Sequence, residues 1–208
     1  MTTTNSLAID DPRAVFAASV IPAGVAIKNV RLDQLDQPTP CTSMNVRDLL
    51  AHIVMVLDRL AAIGRQEEPM AVGERVGVPD GAWSDTFVAA AHELRQAWTD
   101  DATLTRMVHL PWADAPGAAM LASYSNELSV HTWDLAKATG QSPAWDERAL
   151  SFGFEGIRAQ LPADNRTALW EQFKSTMPDF DAPFADAVTV PENAALIDRL
   201  VAYNGRQP

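Results

Sequence analysis

Apolar residues recur along this chain at the spacing of an α-helix far more often than in the alternation of a strand. The clearest run is NVRDLLAHIVMVLDRLAAIG, residues 45–64, where Leu49, Leu50, Ile53, Leu57 and Leu60 share one face. Asn45 is its predicted cap and Gly64 its predicted stop. Upstream, DPRAVFAASVIPAGVAIKNV opens with Asp11 as cap and Pro12 at the first helical position, and Pro22 is predicted to kink or interrupt it. Two prolines in DQLDQPTPCTSMN predict a turn, and residues 65–80 read as a surface loop. A third helix is predicted over about 83–99, carrying Phe87, Ala90, Ala91, Leu94 and Trp98. LTRMVHLPW, residues 104–112, reads as a short extended piece before a loop ADAPG. A long helix follows over 117–139, ending at Gly140, and another over 146–161, closed by Pro162. Beyond it the sequence turns irregular, with three prolines in PDFDAPFADAVTVPE, before a last short helix over 192–203 that ends in NGRQP. This pattern predicts an all-α fold: a four-helix bundle with short accessory helices, one domain over 1–208, and residues 163–208 as a C-terminal extension packed on it.

The long helix carries a line of polar groups where a buried helix wants none. At about 100° per residue, Met120, Tyr124, Glu127, His131 and Asp134 fall within about 80° of one another. Leu121, Leu128 and Leu135 lie beside them, so the polar line borders the apolar stripe, and Ser125, Ser129 and Thr132 are left for an outer face. Glu127 and His131, four apart, leave the helix close enough to meet one cation, or to form a surface ion pair contributing tenths of a kcal/mol. A third ligand has to come from another helix. Of the four histidines, His52 stands at the margin of the apolar stripe of residues 45–64, where it is either a hydrogen-bonded core histidine or the partner of Glu127 and His131. Such a His2Glu set leaves one position open for water or substrate, as catalytic zinc sites do.

Other candidates are weaker. HELRQ at His92 begins like a zinc-protease helix but has Gln96 where the second histidine belongs, so His92 is expected on an exposed helix face. His109, beside Pro111 and Trp112, has no spacing that assigns it a role. Cys41, the single cysteine, follows Pro40 and is expected to be a small buried hydrophobe, with a redox or ligand role as the alternative; alone it forms no internal disulfide. Trp133 is expected to fill the core or a subunit contact. There is no phosphate loop, nucleophile elbow or dinucleotide fingerprint. The net charge of −11 argues against nucleic acid and against an anionic membrane surface as partners. No apolar run approaches the roughly 18 residues of a membrane span, and MTTTNSLAIDDPRAV lacks the basic and apolar regions of a signal peptide. A cytoplasmic protein acting on a small molecule is expected. Asn165-Arg166-Thr167 matches a glycosylation acceptor by chance in such a chain.

Two stretches look familiar. PTPCTSMNVRDLLAHIV resembles the opening motif of the mycothiol-dependent maleylpyruvate isomerase-like metal-binding proteins of the DinB/YfiT-like superfamily: a Thr-Pro-Cys turn and then a helix carrying a ligand histidine. NELSVHTWDLAKATGQ resembles their second motif, a Glu and a His four apart running into Trp-Asp-Leu-Ala, and FADAVTVPENAALIDRLVAYNGRQP resembles the C-terminal segment of a subgroup of small members. The likeness runs from about residue 10 to the end. It implies a DinB-like four-helix bundle and metal ligands His52, Glu127 and His131, with zinc, or else nickel, as the divalent ion. It also implies mycothiol or another small thiol as cosubstrate, and a homodimer. Asp134 would orient a ligand imidazole or act as a base, and Tyr124 would hydrogen-bond substrate or merely pack. Met44 stands where many relatives have tryptophan. Full-length isomerases carry a second domain that a chain of this length is expected to lack, so the implied chemistry is the broader one: activating a thiol, or water, for attack on an electrophile. A non-catalytic metal-binding or ligand-sensing bundle, with a structural or vestigial site, is the alternative.

Overall fold

The computed structural model describes residues 11–111, 113–176 and 184–208. Readings that fall on residues 1–10, Trp112 and 177–183 lie outside these. Eight α-helices and one two-stranded sheet are found among the described residues: α1 (Pro12–Lys28), α2 (Val46–Arg65), α3 (Trp83–Ala97), α4 (Ala102–Thr105), β1 (Met107–Leu110), β2 (Ala113–Pro116), α5 (Gly117–Thr139), α6 (Glu147–Gln160), α7 (Arg166–Thr176) and α8 (Leu196–Tyr203). The fold is all-α and DinB-like. α1, α2, α3 and α5 pack around one core, and α6 lies along α5. No described helix is long and apolar enough to cross a membrane.

Local signals set the main helix ends. The Asp11 side chain accepts from Arg13 N at 2.9 Å to start α1. Asn45 and Asp48 form a reciprocal capping box that starts α2. Gly140, with φ of 70°, ends α5 in the left-handed conformation. Two boundaries differ from expectation. α1 runs unbroken through Pro22, which is buried in the packed face of the helix; that packing outweighs the loss of one backbone hydrogen bond. Gly64 is not a stop but an interior residue of α2, because Trp98 lies against it and donates its indole N–H to Leu60 O at 2.8 Å. The turn into the left-handed region falls instead on Gln66.

Further along, the stretch expected as a loop at ADAPG is strand β2, paired antiparallel with β1 in the register Met107↔Pro116 to Leu110↔Ala113. α7 occupies part of the segment expected to be irregular. Its first residue, Arg166, is fully buried, donating to Pro162 O at 2.6 Å and to Ala185 O, with its guanidinium 4.9 Å from the centre of the Tyr203 ring.

The largest departure concerns the outer face of α5. Ser125, Ser129 and Thr132 are 0–2% exposed, not solvated. α6 lies on that face, with Gly153 against the backbone of Ser125 and Asn126, Gly156 against Ala122, and Ser125 Oγ donating to Ala149 O at 3.2 Å. Small residues on both helices allow this close approach. α5 therefore runs between two apolar clusters. One takes Leu121, Leu128 and Leu135 with α1, α2 and α3; the other takes Val130 and Trp133 with Leu150, Ile157, Trp170, Leu200 and Val201.

A Cβ at Gly153 would stand 2.7 Å from Asn126 N and 2.9 Å from its Cα, backbone atoms that cannot rotate away. Overpacking of this kind costs about 1–3 kcal/mol, against about 1 kcal/mol gained in helix propensity. Gly153→Ala is therefore expected to lower the urea midpoint, while Gly73→Ala, with nothing within 4 Å of its Cβ, leaves it within error.

Candidate metal centre

Packing brings the polar line of α5 to His52. On α2, Leu49, Leu50, Ile53, Leu57 and Leu60 are each at most 1% exposed. Each such burial contributes roughly 1.5–3 kcal/mol, so α2 is placed by its apolar face, and His52 arrives at α5 as a consequence. There, His52 Nε2 lies 3.1 Å and His131 Nε2 3.2 Å from the same oxygen, Glu127 Oε1. The two imidazole rings meet edge to face, with centroids 4.6 Å apart. One potential ligand atom from each of the three residues lies within 4.8 Å of the others. His131 is buried, and His52 and Glu127 are partly open to solvent.

The donor set suits a divalent ion. Two imidazole nitrogens and a carboxylate oxygen are a zinc-type set, and donors sharing one tetrahedral zinc at about 2.0–2.1 Å stand about 3.3–3.4 Å apart. Both nitrogen-to-oxygen separations are within a few tenths of an ångström of that, and all three potential ligand atoms lie within 4.8 Å of one another.

Behind His131, its Nδ1 donates to Asp134 Oδ2 at 3.1 Å. Asp134 is fully buried, and both its oxygens are further engaged by Arg206: Nε donates to Oδ1 at 3.0 Å and Nη2 to Oδ2 at 2.9 Å. Burial works against these charges, but their partners outweigh it. His131 and His52 hold the Glu127 carboxyl well below the usual range. His131 and Arg206 hold Asp134 down as well. Burial also opposes a charge on His131, yet Glu127 and Asp134 push its pKa up to about 10. Tyr124 is half-buried one turn before Glu127; burial raises its hydroxyl pKa, against the pull of Arg59 and with the push of Glu127, so it stays protonated.

Cys41 is not the buried hydrophobe expected. The Thr39 hydroxyl accepts from Cys41 N at 3.1 Å and lies 2.8 Å from Met44 O, pinning a turn that leaves the thiol half-exposed. The Cys41 sulfur falls within 4.8 Å of ligand atoms of His131 and Asp134. Met44 packs against the core cluster of α1–α3. Trp133 is buried in the second apolar cluster with the Lys137 ammonium over its ring. His92 is exposed on α3 as expected, and His109 is exposed in the hairpin, paired with Asp114 at 2.8 Å. Arg206 was not foreseen: it lies 72 residues from Asp134, and its only sequence signal is its place just after the helix-ending glycine in NGRQP.

Comparison with known proteins places these residues in a family. The sequence profile of the mycothiol maleylpyruvate isomerase N-terminal domain matches residues 26–136, a span that contains His52, Glu127, His131 and Asp134. Two uncharacterized proteins of Mycobacterium tuberculosis, from strains CDC 1551 / Oshkosh and H37Rv, are each 31% identical over 183 residues, covering 86% of this chain and 89% of the relative. No solved structure matches.

The raised pKa of His131 fixes the sign of a pH effect. In the metal-free chain its charged form contributes stability that is fully present below the unfolded value of 6.5 and is lost as pH rises through about 10. The depressed Glu127 and Asp134 act oppositely, their contribution being present above about 4 and lost in acid. Urea midpoints of metal-free protein are expected to fall between pH 7 and pH 10, and this alkaline slope is expected to vanish in His131→Gln.

Proposed function

We propose, for a chain that belongs to the mycothiol maleylpyruvate isomerase N-terminal domain family, that it binds a divalent metal ion through His52, Glu127 and His131 and uses it to activate a nucleophile. The ion is zinc in first place, nickel in second. The nucleophile is a low-molecular-weight thiol of the mycothiol kind, with water as the variant, and the acceptor is a small electrophile. The activity is then that of a metal-dependent thiol S-transferase or hydrolase. The observation that carries this reading is the convergence of two Nε2 atoms on one carboxylate oxygen at 3.1 and 3.2 Å.

The bound ion supplies Lewis acidity that lowers the pKa of a thiol or water at its remaining position. The chain's own groups do the rest. His52 and His131 present Nε2 from two different helices, and Glu127 brings its oxygen between them. Asp134 keeps a proton on Nδ1 of His131, which fixes Nε2 as the ligating atom. With both its oxygens occupied, Asp134 orients and does not serve as a base. Tyr124, kept protonated, is a hydrogen-bond donor for substrate at the edge of the site.

Formal charge supports an anionic nucleophile. With neutral imidazoles, Glu127, Asp134 and Arg206 together carry one negative charge. A proton on His131 cancels it; a divalent ion in place of that proton leaves one positive charge, which one thiolate or hydroxide neutralises.

Elemental analysis of protein purified without a polyhistidine tag is expected to show near-stoichiometric zinc or nickel. The metal is expected to be lost in His52→Ala and His131→Ala with helical content preserved, and uptake is expected to release about one proton near neutral pH. Wild-type protein that takes up no metal after incubation with divalent ions would refute the proposal.

A further inference from the structure

The C-terminal turn places a side chain that neither the family match nor the helix pattern covers. α8 ends in a two-bond cap: Gly205 N donates to Ala202 O and Arg206 N to Val201 O, both at 3.0 Å, with Gly205 in the left-handed region at φ of 78°. A Cβ at Gly205 would stand 2.9 Å from that of Ala185, so the turn is specific to glycine on two counts. Just before it, Asn204 exchanges side-chain hydrogen bonds with Asn126 of α5 at 3.1 and 2.8 Å, in a fully buried amide pair. These contacts fix where the chain leaves α8 relative to α5. They deliver Arg206, its side chain 10% exposed, to the far side of Asp134.

We propose that Arg206 is a positioning residue of the metal centre, acting through Asp134 on His131. Its planar fork takes Oδ1 and Oδ2 of Asp134 at once, which fixes the plane of the carboxylate. Oδ2 is also the acceptor for His131 Nδ1, so a fixed carboxylate plane fixes the imidazole ring and aims Nε2 at Glu127 and the ion. Without the fork, Asp134 keeps one side-chain partner and can rotate, and His131 loses its aim. Lysine keeps the charge but cannot bind both oxygens in one plane. The C-terminal segment thereby becomes part of the site, not a cover on the bundle.

This inference rests on the metal reading above. The test is zinc competition titration of the full, untagged chain against a chromophoric chelator, with thermal unfolding of each metal-free variant alongside. Arg206→Ala is expected to bind zinc roughly 10–100-fold more weakly than wild type, the range for lost outer partners of ligand histidines, and Arg206→Lys to recover only part of this. Because the effect passes through Asp134, Asp134→Asn/Arg206→Ala is expected to bind within about twofold of Asp134→Asn alone. Wild-type affinity in Arg206→Ala, or losses that multiply in the double variant, would overturn the inference while leaving the metal reading intact. A wild type that binds no zinc removes both. Should Arg206→Ala fail to fold, Arg206→Gln, which keeps the stem and one donor, is judged by the same two criteria.

Discussion

The carboxylate of Glu127 sits between two helices, only partly open to water, and the polar architecture of the molecule is organised around it. Taking a carboxylate out of water costs several kcal/mol unless charge and hydrogen bonds are returned to it. Glu127 recovers them from His131 on its own helix and His52 on α2. A charged His131 needs a second anion, which is Asp134, and the buried Asp134 needs a cation, which is Arg206. Charge alternates from α5 to the turn that follows α8, and each member is placed so that the previous one is satisfied.

The work of holding these groups in place falls on apolar packing. α5 contributes to two clusters on opposite sides, and its polar line occupies the seam between them. His52 is carried at the margin of a helix face whose leucines are almost wholly buried, whereas Arg206 follows a short helix whose end is tied down by the Asn126–Asn204 pair. An amide pair without access to water resists a shift of register, because slipping by one residue would break both hydrogen bonds between Asn126 and Asn204 and leave the Asn126 amide without these partners. The apolar clusters supply stability and the amide and ionic pairs supply alignment.

Most of the bundle and the inner part of the site were legible in the sequence because they are encoded at helical spacing. Glu127, His131 and Asp134 are three and four apart on one helix, and His52 lies at the edge of a strongly amphipathic one. What the pattern missed is what helical spacing does not encode. A wheel shows that Ser125, Ser129 and Thr132 lie opposite the polar line, beyond the leucines, but not that two glycines on α6 come down onto that side of the helix. The small size of those residues was the available clue: a solvated helix face usually carries long charged side chains, and this one carries none. Local preference predicts a break at Pro22 and a stop at Gly64, and in both cases tertiary packing overrides it. Arg206 depends on a contact spanning 72 residues, and only the Asn-Gly-Arg ending hinted that the chain turns back there.

The central claim is that His52, Glu127 and His131 form one metal centre, and a crystal of zinc-soaked protein measured at the zinc absorption edge tests it most directly. A single strong anomalous peak is expected between α2 and α5, about 2.0–2.1 Å from Nε2 of both histidines and bonded to Glu127, with one position left to solvent. A peak elsewhere, coordination through Nδ1 of His131 in place of Asp134, or no peak at all would contradict it.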